Sequence, residues 1–208
     1  TLHALHPGDH GLDLVLDPLV GRDCSGIVGG SPPALDQVED WLAQAADGLW
    51  VAAKHGVIHG DLDPRGLLLG TDGRLRLWGF ALGACRRAGD PDHARQVQAY
   101  RAPEATERGA PTHAGDVFAL AAIGYHLLAG RPPFPDGEER RHALTVGPPP
   151  LAERDTRIPA ALDHALAAAL HPDPGRRTTS VKALARAVRD AIHGPPQRRS
   201  STDRKSVV

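Results

Sequence analysis

The stretch Asp116–Ala129, DVFALAAIGYHLLA, limits what this chain can fold into more than any other. Its one carboxylate stands at the first position, and Val, Phe, Leu, Ile and Ala fall on nearly every side of a helical wheel. A helix of that kind has no wet face, so other elements must pack all round it. Gly130 supplies its stop. A chain of 208 residues can provide the surround within one domain. Aromatic residues make up only 4%, so that surround has to be built from Leu, Ala and Val.

The surrounding elements follow from periodicity. Val38, Leu42, Ala45, Leu49 and Ala52 recur at spacings of three and four, which predicts a second helix. Ser31, Pro32 and Pro33 give it a start signal and Gly56 a stop. Ala160–Leu170 and Ser180–Ile192 read as two further helices joined by HPDPGRRTT. Leu12–Val20 has the pattern of a buried strand leading into a turn at Gly21. Leu67–Leu69 and Leu75–Leu77 form a hairpin through Thr71-Asp72-Gly73. Gly29–Pro33, Pro132–Pro135 and Val146–Pro150 are expected to be loops, and no internal repeat is present. The expected class is α+β: one helix-rich lobe with a small sheet.

Composition narrows the function classes. A formal charge of −1 gives no reason to expect nucleic acid as a partner. No apolar run reaches the length of a membrane span, and no signal peptide is visible, so a cytoplasmic chain is expected. Cys24 and Cys85 lack metal-type spacing and are expected to be reduced thiols. His3, His6 and His10 with Asp9 suggest a metal site less than a solvated strand or loop. Lys is confined to positions 54, 182 and 205 and Met is absent, a bias of GC-rich coding rather than of function. From Gly194 onward four cationic side chains face only Asp203, and the ending DRKSVV matches one reading frame of a common sequencing adapter. Residues 194–208 are therefore expected to be a disordered or artefactual tail on a fragment.

The chemistry concentrates in Ile58–Leu69, IHGDLDPRGLLL, and in the LRLWGFAL that follows at Leu75–Leu82. The first string resembles the H-R-D-L-x-x-x-N loop of protein kinases, and Gly79-Phe80-Ala81 stands where that family has Asp-Phe-Gly. YRAPE at Tyr100–Glu104 resembles the Ala-Pro-Glu motif. DVFALAAIGYHLLAGRPPF at Asp116–Phe134 resembles the central helix and its following loop, and HPDPGRRTT at His171–Thr179 the Asp-Pro-x-x-Arg element. In this order the chain is similar to a bacterial Ser/Thr protein kinase of the eukaryotic-like type from about Leu12 to Ile192. The resemblance implies a protein-kinase-like fold, mainly the helical C-lobe. Residues 1–26 would be the end of the N-lobe with its last strand and hinge, and residues 27–193 the C-lobe.

The resemblance also implies roles. Asp61 would be the catalytic base, or a structural residue holding its loop by hydrogen bonds; without metals nearby the structural role is preferred. The two metal-ligand positions are Gly66 and Gly79, which offer no side-chain oxygen, and the loop Lys position is Asp63, an anion beside a polyanionic substrate. Leu16 would be the gatekeeper, Asp17 and Leu19 would meet adenine through their backbone, and Leu68 would lie beneath the ring. His59, Phe80 and Asp116 would form an internal spine, and Glu104 would pair with Arg177. The usual activation-loop Thr position is Val97, and the Arg that would clamp its phosphate is Gly60. A cation shared by Asp61 and Asp63 is not favoured, because alternate residues of an irregular loop need not converge. The expected function is a pseudokinase with protein partners, binding ATP weakly or not at all and with no dependable Mg²⁺ site. The alternative is a weakly active Ser/Thr kinase using Asp61. Small-molecule phosphotransferases of the aminoglycoside type share His-Gly-Asp, but they need the missing Asn and metal-binding Asp and lack the YRAPE and LLAGRPPF elements.

Overall fold

A computed structural model describes residues 2–8, 11–16, 18, 20–28, 30–80, 97–105, 110–134, 139–153 and 155–195, with backbone alone for 2–8, 11–16 and 139. Strands β1 (Leu2–Gly8) and β2 (Gly11–Leu16) form an antiparallel hairpin with a register shift between Leu2 and Ala4. Strand β3 (Gly21–Asp23) pairs with β4 (Leu67–Gly70), which pairs with β5 (Leu75–Leu77), both antiparallel. The helices are α1 (Ser25–Val28), α2 (Leu35–Lys54), α3 (His113–Ala129), α4 (Glu139–Val146), α5 (Ala160–Ala169) and α6 (Val181–His193). The fold is α+β and mostly helical.

Helix α3 is the axis of the molecule, and every residue from Asp116 to Tyr125 is buried, with Leu127 and Leu128. It starts one turn before the apolar run because Thr112 caps it, its Oγ1 accepting from Gly115 N at 3.0 Å. Helices α2, α5 and α6 pack around it, and α2 also lies against α6 and β5. Gly124 sets the α2 approach: a Cβ there would stand 2.9 Å from Leu42 Cδ1. Phe118 and Phe134, both at 0% exposure, stack at 5.8 Å between centroids and close the end of the core below the site. Each such fully buried apolar side chain contributes roughly 1.5–3 kcal/mol.

Several boundaries differ from the sequence expectation. The strand expected over Leu12–Val20 ends at Leu16, where Asp17-Pro18 removes a donor and restricts the residue before it. Gly21 opens β3 instead of making a turn. Helix α2 begins at Leu35 rather than at Ser31, because residues preceding Pro32 and Pro33 are kept out of the helical region. Gln37 Oε1 then accepts from Ala34 N at 3.2 Å. Val146 is the last residue of α4, not the start of a loop. Its sequence ERRHALTV has no apolar stripe, so periodicity missed it.

The small sheet is tied to the helices at two points. Gln44 of α2 reaches the edge of β5, its Oε1 accepting from Leu75 N at 2.9 Å. Cys24 N donates to Pro64 O at 3.1 Å and Leu67 O at 2.9 Å, which fastens β3 to the loop before β4. The Cys24 side chain is buried and free, and burial pushes its thiol up to about 12. Cys85, Asp9 and His10 lie outside the described residues. Among the described residues no helix is long and apolar enough to cross a membrane.

Candidate active site: the His59–Gly66 loop

The loop from His59 to Gly66 leaves α2 and enters β4 directly over the start of α3. Asp116 holds it there. Its Oδ2 accepts from His59 N at 3.0 Å and its Oδ1 from Gly60 N at 2.9 Å. Burial raises the Asp116 pKa, and these two amides and His59 only partly offset that. The buried His59 ring donates from Nε2 to Trp78 O at 3.1 Å and meets Phe80 at 4.7 Å between ring centroids. Desolvation lowers the His59 pKa, against the opposing influence of the Asp116 charge and the Trp78 carbonyl. His59, Phe80 and Asp116 are therefore brought together.

Asp61 is buried, with its side chain 2% exposed, and Oδ1 accepts from Arg101 Nη2 at 3.1 Å. Asp63 is turned inward. Its Oδ1 accepts from Arg65 N at 2.7 Å and Gly66 N at 3.3 Å, capping the 3-10 turn Pro64–Gly66. Its Oδ2 takes the Arg65 guanidinium at 2.6 Å and 3.2 Å. The anion expected at position 63 is present, and its charge is paired within the loop by the residue two places on, which the sequence expectation did not include. Asp61 and Asp63 thus face different arginines.

Gly66 is close to its surroundings without being sealed: an added Cβ would come no nearer than 3.4 Å, to Trp78 O. Trp78 N donates to Gly66 O at 3.1 Å, and Trp78 Nε1 to Arg65 O at 2.5 Å. Gly79 has φ 87, in the left-handed region where a side chain is strained. Gly60 also has a left-handed φ of 76, and a Cβ on it would meet Pro111 Cβ at 2.5 Å. The position expected to hold a phosphate clamp is therefore occupied by a proline ring. Val97 is buried at 1% exposure.

Leu68 lies on β4 at 9% exposure, paired in register with Asp23 and Arg76. Leu16 is the last residue of β2, with only its backbone described, and Asp17 and Leu19 lie outside the described residues. Away from the loop, Arg177 is wholly buried and spends every donor. Nη1 reaches Glu104 Oε1 at 2.6 Å and Ala114 O at 2.7 Å; Nη2 reaches Glu104 Oε2 at 2.9 Å and Pro172 O at 3.2 Å; Nε reaches His171 O at 3.0 Å. Burial, the largest single influence, would raise the Glu104 pKa, but the Arg177 hydrogen bonds, a backbone hydrogen bond and the Arg177 charge together outweigh it and the net direction is down.

These residues do not fit Mg²⁺. That ion asks for near-octahedral oxygen ligands, usually one or two carboxylates with waters and phosphates. The two glycines offer no side-chain oxygen, and both nearby carboxylates are engaged by guanidinium groups. Among the described residues no cluster of three or more His, Cys, Asp or Glu stands ready for a metal. Arg65, Arg101, Arg140 and Pro111 are the residues the sequence expectation lacked. An Asp-Pro pair at a turn start is an N-cap signal, so the inward role of Asp63 was available. The Arg101–Asp61 contact spans 40 positions and left no local trace.

Comparison with known proteins bears on the family. Residues 14–188 match the family described as Protein kinase domain. Serine/threonine-protein kinase Pkn1 of Myxococcus xanthus is 31% identical over 173 residues, covering 77% of this chain and 25% of that protein. PknD of Mycobacterium tuberculosis is 32% identical over 142 residues, covering 64% and 21%. PkaA of Streptomyces coelicolor is 35% identical over 133 residues, covering 61% and 24%. The chain spans about a quarter of the length of these curated relatives. With most of its length matched and its buried helix, loop and small sheet arranged as described, the chain belongs to the protein kinase domain family, among bacterial serine/threonine kinases of the eukaryotic-like type.

Proposed function

We propose that the chain is a pseudokinase: a kinase-shaped module that works by holding a protein partner, with weak or no Mg-ATP binding. The observation that carries the reading is the condition of four positions. Gly66 and Gly79 have no ligand oxygen to give, and Asp61 and Asp63 are each bound by an arginine. Phosphoryl transfer needs positioning and charge neutralisation, with metal ions bridging the phosphates. Loss of both side-chain ligands removes several kcal/mol of transition-state stabilisation, on the order of a thousandfold or more in rate. In this reading residues 1–26 are the end of the smaller lobe and its hinge, residues 27–193 the larger lobe, and residues 194–208 a tail. The module acts in the cytoplasm, takes no nucleic acid, and meets a membrane only through regions outside this sequence. Any nucleotide bound without metal would lie along Leu16, Asp17, Leu19 and Leu68.

Thermal unfolding with ATP, with and without Mg²⁺, tests the reading. A ligand at a hundred times its dissociation constant stabilises by about 2.7 kcal/mol. For a chain of this size that is a rise of roughly 5–11 °C. The expected result is no rise, or one indifferent to Mg²⁺; a rise that requires Mg²⁺ overturns it. One observation favours a second reading, a weakly active Ser/Thr kinase. The relatives are named as serine/threonine-protein kinases, and Asp61 keeps the base position of their loop. Turnover abolished by Asp61→Asn would establish that reading.

A further inference from the structure

Arg101 belongs to the YRAPE segment, and its backbone is held at both its N–H and its carbonyl. Its N donates to Val97 O at 3.1 Å, and its carbonyl accepts from Arg140 Nη2. Arg140 is itself buried, also donates from Nη1 to Ala99 O at 3.4 Å, and lies 5.8 Å over the Phe134 ring. Next door, Tyr100 OH and His126 Nδ1 share a hydrogen bond at 2.6 Å. The backbone that carries the Arg101 side chain is therefore fixed from α3 and α4 together.

From that support the guanidinium reaches Asp61 at 3.1 Å, and the exposures give the order of the two groups: 17% for the Arg101 side chain against 2% for Asp61. The arginine is the more exposed of the two and covers the carboxylate at Oδ1. Beside the pair, with Val97 and Pro111 on its walls, the remaining space is about 20 Å³, room for about one water molecule. An acceptor hydroxyl has to come within roughly 2.6–3.2 Å of a base to pass it a proton. A serine or threonine on a peptide cannot do so here while Arg101 stays.

The geometry points to Arg101 as an intramolecular occupant of the acceptor-hydroxyl position, placed there by Arg140 and closing Asp61 to protein substrates. The inference deepens the pseudokinase reading and rests on its assignment of Asp61 as the acceptor-facing carboxylate. It adds a block on the acceptor side that is separate from the lost metal ligands. Refilling positions 66 and 79 would leave that block in place.

Carboxylate labelling of the full chain tests it, using a water-soluble carbodiimide and glycine ethyl ester with peptide mass spectrometry. Asp47, 63% exposed, is the fast reference. Asp163, whose oxygens accept from Leu151 N and Ala152 N, reports on folding. In the wild type Asp61 is expected to react at least tenfold more slowly than Asp47. Arg101→Ala is expected to raise Asp61 labelling at least tenfold with Asp163 unchanged, and Arg140→Ala to raise it by a smaller factor. Arg101→Gln keeps length without charge and serves as the second variant should the alanine fail to fold. Asp61 reacting as fast as Asp47 in the wild type, or staying protected in a folded Arg101 variant, overturns the proposal. Labelling is read without nucleotide or metal, so a Mg²⁺-dependent melting shift would sink the pseudokinase reading and leave this result standing.

Discussion

Replacing Arg177 by Met should be the most damaging single change outside the central helix. The side chain is 0% exposed and its donors serve five acceptors, two on Glu104 and one each on Ala114, Pro172 and His171. Methionine fills much of the volume but makes none of these bonds. Glu104, with its side chain 25% exposed, recovers some water, while the carbonyls recover less. Each buried acceptor left unsatisfied costs about 1–3 kcal/mol, and removing one partner of a buried ion pair costs about 3–5 kcal/mol. These overlap rather than add, so the expected loss is about 4 kcal/mol. For a chain of this length that lowers the melting temperature by roughly 8–16 °C. The assay is urea denaturation at pH 7, repeated at lower pH. Glu104 has a folded-state pKa below its ordinary value of 4.5, so its contribution is complete above about pH 4.5 and fades as pH falls through the depressed value. Wild-type stability should therefore drop more steeply than that of Arg177→Met on acidification below pH 4.5. A loss under about 1 kcal/mol at pH 7, or parallel acid profiles, would refute the reasoning.

Gly60→Ala should destabilise well beyond Gly66→Ala. The first forces a side chain into the left-handed region, at about 1–2 kcal/mol, and into Pro111 at 2.5 Å, whereas the second meets nothing nearer than 3.4 Å; paired denaturation curves check this. Asp63→Asn should keep the cap on the Pro64–Gly66 turn and lose mainly the Arg65 pair, while Asp63→Ala loses both, the cap alone being worth about 0.5–2 kcal/mol in urea denaturation. Burial lowers the His126 pKa to about 4, so its ring resonances in NMR should stay in the neutral position at pH 5.5. Because that folded value lies below the unfolded one near 6.5, stability carried by the neutral ring should be lost as pH falls from there toward 4.

The elements legible in the sequence are those whose apolar side chains repeat at a helical or strand period. Helix α3, α2, the β4–β5 hairpin, α5 and α6 all bury such a set, and each lies within a few residues of its expected bounds. Helix α4 was invisible because the buried residue it offers the loop is Arg140, and a buried arginine carries no periodic signal. The strand ending at Leu16 was overextended because Leu19 and Val20 continue the apolar pattern past a proline. In the site, the lack of a side-chain oxygen at Gly66 and Gly79 was legible outright, since glycine has no side chain. The inward turn of Asp63 was open to an Asp-Pro cap reading, but what became of Asp61 was not. Asp63 turns inward for a local reason, the two-residue reach to Arg65, while Asp61 depends on a partner delivered by chain folding from position 101.

The proline ring over Gly60 has a bearing on what position 60 can accept as well as on stability. An arginine there would need Pro111 to change first, because the ring fills the first atom's place and the backbone holds a conformation that a side chain resists. Changing Pro111 alone would restore no phosphate clamp, so nothing would favour that step. The two positions are therefore coupled: a side chain at position 60 and a proline at 111 exclude one another, so only a paired substitution could place a cation there.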